Sequence, residues 1–187
     1  MITLICGPMY SGKSTALFQR MERLLYAKKK ILLIRPIKDD RGYFTHSNGI
    51  DINKLLKKFS ETLKVVYLVN LSQTPEMLEE LSVYDAVFVD EYFMIPGISY
   101  LCHQNDFDVY YGGLLATSEC KLFDEAIKIL PYADKIKKLN GICVDCGSEL
   151  GNYSFADFEK KEEIVVGDAK YKCLCKKCYD KRLKGGE

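Results

Sequence analysis

The sequence predicts an α/β fold, a parallel sheet with helices on both faces, followed by a small cysteine-rich unit. Three observations carry that expectation. Short, nearly continuous apolar runs alternate with amphipathic segments over residues 1–115. A glycine-containing turn separates the first apolar run from the first amphipathic one. From Gly141 onward the composition shifts to cysteine, glycine and charge, which divides the chain into residues 1–140 and 141–187.

"ITLIC", "ILLIR", "VVYLV", "AVFVD" and "VYYGG" read as buried strands, because each is short and apolar on both faces of the pleat. Between the first two lies "KSTALFQRMERLLYAKKK". There Leu17, Met21, Leu24 and Leu25 recur at helical spacing opposite charged residues, which predicts an amphipathic helix. Lys28–Lys30 form its solvated end, where cations suit the negative pole of the helix dipole. "PEMLEELS" reads as a second helix with Pro75 at its start. Strands alternating with helices imply a parallel sheet covered on both faces. The stretch from Pro36 to Asn53 is polar and glycine-containing and reads as a long loop.

A hydrophobic fraction of 48% and a charged fraction of 28% give the balance of a globular protein with a real core. The formal net charge of +1 supplies no field for holding phosphate backbones, which argues against a nucleic-acid partner. "MITLICGPMY" has no positive leader and reads as a strand, and no apolar run reaches the roughly 20 residues that span a bilayer. The expectation is a cytoplasmic protein with no membrane partner. Its eight cysteines then face a reducing compartment and are metal ligands or buried thiols.

"GPMYSGKST" carries Gly7, Gly12, Lys13 and Ser14 in the pattern G-x-x-x-x-G-K-[ST], after a predicted strand and before a predicted helix. In that context the motif is a P-loop. Its glycines let backbone N–H groups turn inward around phosphate oxygens at a helix N-terminus. Lys13 supplies a cation to the terminal phosphates, and the Ser14 hydroxyl can ligate Mg²⁺. Ser11 and Thr15 complete the phosphate-facing set. "AVFVDEYF" then places Asp90 and Glu91 at the end of an apolar strand. Adjacent carboxylates there permit two jobs: Asp90 on the metal side and Glu91 as a general base toward an acceptor hydroxyl.

"CVDCG" offers Cys143 and Cys146, and "CKKC" offers Cys175 and Cys178. Two C-x-x-C pairs suit a closed tetrahedral zinc site, structural and not catalytic. The 28 residues between the pairs make this a large closed loop on a zinc-ribbon-like unit. Cys173 is an additional thiol able to compete with Cys175, although C-x-x-C spacing fits zinc better. Cys6, Cys102 and Cys120 read as small core residues. His46 and His103 have no evident partner and no assigned task.

The P-loop, the strand ending in Asp-Glu and the late Cys₄ pattern together resemble the type II thymidine kinase family along nearly the whole chain. "KDDRGYFTHS", "ILPYADKIKKLNGICVDCG" and "KYKCLCKKCY" are similar to further segments of that family, in the same order. The resemblance implies a P-loop NTPase-like domain with a small zinc-bound domain. From the latter a lasso loop, here about residues 153–171, covers the nucleoside. It implies transfer of the ATP γ-phosphoryl to the 5′-hydroxyl of thymidine or deoxyuridine, with ATP, Mg²⁺ and structural Zn²⁺, in a homotetramer serving nucleotide salvage. On this sequence it implies Glu91 as base, Lys13 and Ser14 on phosphate and Mg²⁺, and Arg41 near the phosphates. Met94, Leu114, Ser118, Ser154, Val165, Val166, Gly167 and Tyr171 would lie at the nucleoside.

Two segments depart from the family pattern. "YFMI" follows Asp-Glu where a small residue, a glutamine and two phenylalanines are usual. "GLLATSE" replaces the family's acid, phenylalanine and arginine with Leu115, Ser118 and Glu119. Losing two aromatic surfaces predicts a larger or more polar base pocket, suited to a 5-substituted deoxyuridine, unless Tyr92 or Phe93 refills the space. Two other functions compete with this one. A nucleoside monophosphate kinase would need cations for an acceptor phosphate, and "NYSFADFEKKEEIVV" shows no arginine. An ATP-switched nucleic-acid-binding protein would use the basic "KYKCLCKKCYDKRLK", against the acidic "FEKKEE" nearby.

Overall fold

The computed structural model describes residues 1–38, 51–71, 80–156 and 171–185. Among them, six parallel strands form one sheet: β1 (Ile2–Cys6), β2 (Ile31–Pro36), β3 (Leu63–Leu68), β4 (Ala86–Asp90), β5 (Asp108–Gly113) and β6 (Lys135–Lys138). Their order is β3-β2-β4-β5-β1-β6. The predicted α/β class is therefore the observed one.

The continuous apolar runs have the expected cause. Leu4, Cys6, Leu32, Ile34, Val87, Val89, Val109 and Tyr111 belong to a core on one face. Ile5, Ile31, Leu33, Ala86, Phe88 and Tyr110 belong to a core on the other. Side chains alternate across a strand, so burial on both faces demands apolar residues at nearly every position. Helix α1 (Lys13–Tyr26) covers the second face with Leu17, Phe18, Met21 and Leu25. Helix α3 (Asp124–Ile129) and the 3₁₀ segment Ile98–His103 pack on the first.

Three local expectations change. Pro36 ends β2, and Ile52 and Asn53 open helix α2 (Ile52–Lys58), so neither belongs to a loop. The cause is Asp51, whose carboxylate accepts the N–H groups of Asn53 at 2.8 Å and Lys54 at 3.4 Å as an N-cap. Cys120 is exposed and not a core residue. It sits in a tight turn at φ 62°, where no strand or helix buries it. His103 is not isolated either, since its ring meets those of Tyr100 and Tyr132. The predicted helix at "PEMLEELS" and the remaining loop residues, with His46, lie mainly or wholly outside the described residues.

Beyond β6, Gly141 and Gly151 bridge each other. A two-stranded antiparallel ribbon follows, β7 (Tyr153–Ala156) with β8 (Tyr171–Leu174), and then helix α4 (Lys176–Leu183).

Candidate active site and metal centre

The register of the sheet brings the P-loop and the acidic pair to one level. On β5, Gly112 lies opposite Asp90 of β4 and opposite Ile5 of β1, and Gly113 lies opposite Cys6. The carboxyl ends of β1 and β4 therefore open on the same edge, with two glycines between them. That edge is where open α/β sheets bind ligands. Neither glycine position has room for a side chain: a Cβ would fall 2.8 Å from the Leu17 side chain at Gly112 and 2.9 Å from the Tyr92 ring at Gly113.

The P-loop runs from the end of β1 into α1. A Cβ on Gly7 would sit 2.4 Å from the Leu139 carbonyl and 2.5 Å from Ser11 Oγ, so only glycine fits the turn. Gly12 enters α1 at φ 81°, in the left-handed region that glycine adopts without strain. Lys13 is buried, and its ammonium donates to the Pro8 carbonyl at 2.7 Å across the loop. Burial lowers its proton affinity, while Glu91 and Asp90 pull in the opposite direction without reversing the shift. Thr15 follows in the first turn of α1.

Ser14 Oγ lies 3.5 Å from Asp90 Oδ1. Asp90 is buried, and its other oxygen lies 3.6 Å from Nε of Arg35, a fully buried residue on β2. Sequence reasoning missed Arg35, because a cation late in an apolar strand reads as the point where the strand meets solvent. The one available signal was its place in β2, whose neighbours are all apolar. Glu91 follows Asp90 at φ 50° and ψ 47°, a left-handed conformation for a residue with a side chain. Such conformations cost about 1–3 kcal/mol and persist where surrounding structure enforces them, often at functional sites.

Beside Gly7 opens a cavity of about 220 Å³ lined by Cys6, Pro8, residues 114–117, Cys120, Lys138 and residues 152–154. Leu114 and Ser154, two of the expected nucleoside residues, line it. Met94 ends the 3₁₀ turn Tyr92–Met94, and Ser118 follows the cavity-lining loop; neither lines the cavity. Ser118 Oγ is buried and without a hydrogen-bond partner among the described residues. Tyr171 opens β8 opposite Ala156, at the mouth of the ribbon. Arg41, Val165, Val166 and Gly167 lie outside the described residues. Neither Tyr92 nor Phe93 lines this cavity. Tyr92 is buried with its hydroxyl on the Leu114 carbonyl at 2.8 Å, and Phe93 stacks on Phe123 at 4.5 Å between centroids.

The four thiols of Cys143, Cys146, Cys175 and Cys178 all lie within 4.8 Å of one another. Cys146 Sγ and Cys175 Sγ are 3.7 Å apart. A tetrahedral zinc with Zn–S near 2.3 Å requires sulfurs roughly 3.8 Å apart, so the set fits that ion. Burial pushes the Cys143 thiol up, but N–H groups of Cys175, Asp145 and Cys146 outweigh it and hold the thiol at about 6, favouring the thiolate a metal needs. Cys173 is not in the cluster. Its Sγ fills the space where a Cβ on Gly141 or Gly151 would come within 2.7 or 2.5 Å, so it packs the bridge next to the P-loop.

The fit to phosphate is equally local. Ser11 Oγ is buried in the loop with no hydrogen-bond partner among the described residues, a donor that a phosphate oxygen satisfies. Ser14 and Asp90 offer the hard oxygen ligands that Mg²⁺ prefers. Fold and site together define a P-loop phosphotransferase carrying a four-cysteine cluster able to hold a metal ion.

Comparison with known proteins narrows that class. The family model for thymidine kinase matches residues 1–179, and the chain belongs to that family. It is thus a kinase that uses ATP and a nucleoside. The thymidine kinase of Sheeppox virus (strain KS-1) is 27% identical over 184 residues, covering 95% of this chain and 96% of that protein. The thymidine kinase of Vaccinia virus (strain Western Reserve) is 29% identical over 184 residues, with the same coverage. The cytosolic thymidine kinase of Bos taurus is 29% identical over 187 residues, 98% of this chain and 74% of that protein. Among the described residues no helix is long and apolar enough to cross a membrane.

Proposed function

We propose that the chain transfers the γ-phosphoryl of ATP to the 5′-hydroxyl of thymidine, or of a deoxyuridine bearing another 5-substituent, in nucleotide salvage in the cytoplasm. The observation that carries this reading is the approach of the P-loop Ser14 to within 3.5 Å of Asp90, in a member of the thymidine kinase family. Lys13 and Glu91 are next to them in the chain, and Gly7 of the same loop lies on a cavity.

The reaction forms a bond from the 5′-oxygen to the γ-phosphorus and breaks the bond from that phosphorus to the β–γ bridging oxygen. ADP departs, and the hydroxyl proton passes to Glu91. Phosphoryl transfer needs positioning and charge neutralisation more than covalent help. The P-loop N–H groups and the Ser11 hydroxyl bind phosphate oxygens. Lys13, held within the loop, offsets charge on the terminal phosphates. Ser14 and Asp90 would hold Mg²⁺, which would supply neutralising charge at the phosphates. Arg41 adds a second cation from its own segment.

The cavity takes the nucleoside, with Leu114 and Ser154 on its walls and the buried Ser118 hydroxyl behind the loop. Met94, Val165, Val166, Gly167 and Tyr171 are further nucleoside contacts on the strength of the family resemblance. With no aromatic side chain in the 114–120 stretch, the cavity has room for a 5-substituent larger or more polar than methyl. Cys143, Cys146, Cys175 and Cys178 would hold zinc, which would tie together the chain on either side of the lasso, and the assembly is a homotetramer.

An acceptor series with Mg²⁺ and ATP tests the reading. Thymidine, deoxyuridine and 5-substituted deoxyuridines are expected to accept phosphate, with a bulkier or hydroxymethyl substituent at least matching methyl. Phosphorylation of thymidine monophosphate alone would instead make this a monophosphate kinase. Salt-sensitive DNA or RNA binding without any acceptor would favour the nucleic-acid reading.

A further inference from the structure

Tyr179 lies on α4, directly after Cys178, and is buried. Its ring stacks on Tyr153 with centroids 4.7 Å apart and planes 26° apart. The edge of the same ring meets Phe155 at 6.0 Å. Its hydroxyl donates to the Ser118 carbonyl at 2.6 Å, and the Cys120 thiol lies 3.5 Å from that oxygen. These contacts reach both walls of the cavity. Asn152, Tyr153 and Ser154 form one wall, and residues 114–117 with Cys120 form the other.

One buried side chain therefore joins the two walls, with its ring on the ribbon and its hydroxyl on the loop. The loop is a tight turn with Cys120 at φ 62°. It is closed within itself by the Thr117 N–H on the Lys121 carbonyl at 2.8 Å and the Cys120 N–H on the Thr117 carbonyl at 3.1 Å. Thr117 Oγ1 also accepts the N–H groups of Glu119 and Lys121. Tyr179 supplies its hydrogen bond to the ribbon side. The helix bearing Tyr179 is fixed at its first turn by Cys175 and Cys178 of the metal centre.

We propose that Tyr179 is a positioning residue for the nucleoside cavity, setting the separation of its walls and linking that separation to the metal centre. The proposal rests on the reading of this cavity as the nucleoside site. It gives the zinc-bearing unit a task beyond anchoring the lasso, because the docked helix also shapes the opposite wall. Phenylalanine separates the two contacts, since it keeps the stack on Tyr153 and removes the donor to Ser118.

The test compares wild type, Tyr179→Phe and Tyr179→Leu in the zinc-loaded full chain. Zinc content, melting temperature, the KM for thymidine and for ATP, and amide hydrogen exchange over residues 114–123 are measured. For Tyr179→Phe, we expect zinc content and the ATP KM to hold. The thymidine KM should rise about 5-fold, the size of one lost hydrogen bond, and exchange over 114–123 should quicken by a similar factor. Tyr179→Leu should show a larger change in both. An unchanged thymidine KM in both variants would overturn the proposal, as would equal rises in the two KM values. A wild type inactive on thymidine would remove the reading beneath the proposal. Unchanged exchange would then overturn the tie as well, and faster exchange in Tyr179→Phe would uphold it.

Discussion

Glu91 and Arg35 carry the sharpest consequences at the scale of single residues. Glu91 follows Asp90 in a left-handed conformation that a residue with a side chain does not favour. Glu91→Gln keeps the shape and removes the base, so turnover should fall by about 10²–10⁴-fold with zinc content and melting temperature unchanged. Steady-state kinetics on purified variant protein checks this, and near-normal turnover would end the base assignment. Arg35 is a buried cation 3.6 Å from buried Asp90. Arg35→Met leaves that carboxylate without its nearby cation, and breaking a buried pair costs about 3–5 kcal/mol. Adding Asp90→Asn should recover part of the loss, since the strained charge is then gone. Urea titration of both variants decides it, and a fully additive double mutant would show that the pair is not coupled.

At the scale of elements, the 3₁₀ segment Ile98–His103 depends on a carboxylate from another helix. Glu125 of α3 accepts the N–H of Ser99 at 2.8 Å and of Gly97 at 3.2 Å, and pairs with Lys128 at 2.9 Å. Burial pushes its pKa up, but those donors prevail and hold it below the ordinary value of 4.5. A carboxyl depressed in the folded state stabilises the protein above pH 4.5 and loses that contribution as the pH falls through the folded value. Glu125→Gln should therefore cost about 2 kcal/mol at pH 7, with the gap to wild type closing as the solution is acidified below pH 4.5. Denaturation midpoints at several pH values measure it; a gap that widens on acidification would contradict the account. The core of the ribbon and α4 is small: Cys143, Leu174, Cys175 and Tyr179, with Tyr153, Phe155 and Cys178 packed against it. Units of that size ordinarily need a staple, and the four clustered thiols offer one to a metal. Chelation should raise hydrogen exchange in β7, β8 and α4 while β1, β2, β4 and β5 stay protected.

At the scale of the whole molecule, the central strands were legible because burial on both faces writes itself as an apolar run, and "ILLIR" or "AVFVD" admits few other readings. The P-loop was legible because its glycines answer steric limits now visible at Gly7 and Gly12. The edge strand β6 was not, because "KIKK" is exposed at every position and carries no apolar signal. Helix α2 was missed although Asp51 marks its start and Ile52, Leu55 and Leu56 keep helical spacing, since seven residues allow the pattern fewer than two full repeats beside a polar, glycine-containing stretch. In the site, the grouping of Cys143, Cys146, Cys175 and Cys178 was legible from spacing alone. The tie through Tyr179 was not, because it joins residues 61 apart through a backbone carbonyl that no side-chain pattern records.

Assembly belongs to the same scale. Light scattering should return four times the 21.4 kDa chain mass, and a monomer at working concentrations would contradict the tetramer.

The central claim is that this edge of the sheet moves a phosphoryl group onto a nucleoside hydroxyl. The most direct measurement incubates the zinc-loaded protein with thymidine, Mg²⁺ and ATP labelled at the γ-phosphate, and follows label and ADP together. Label is expected on the 5′-oxygen of thymidine in equal amount to the ADP formed. ADP released without labelled nucleoside, across thymidine and its 5-substituted relatives, would contradict it.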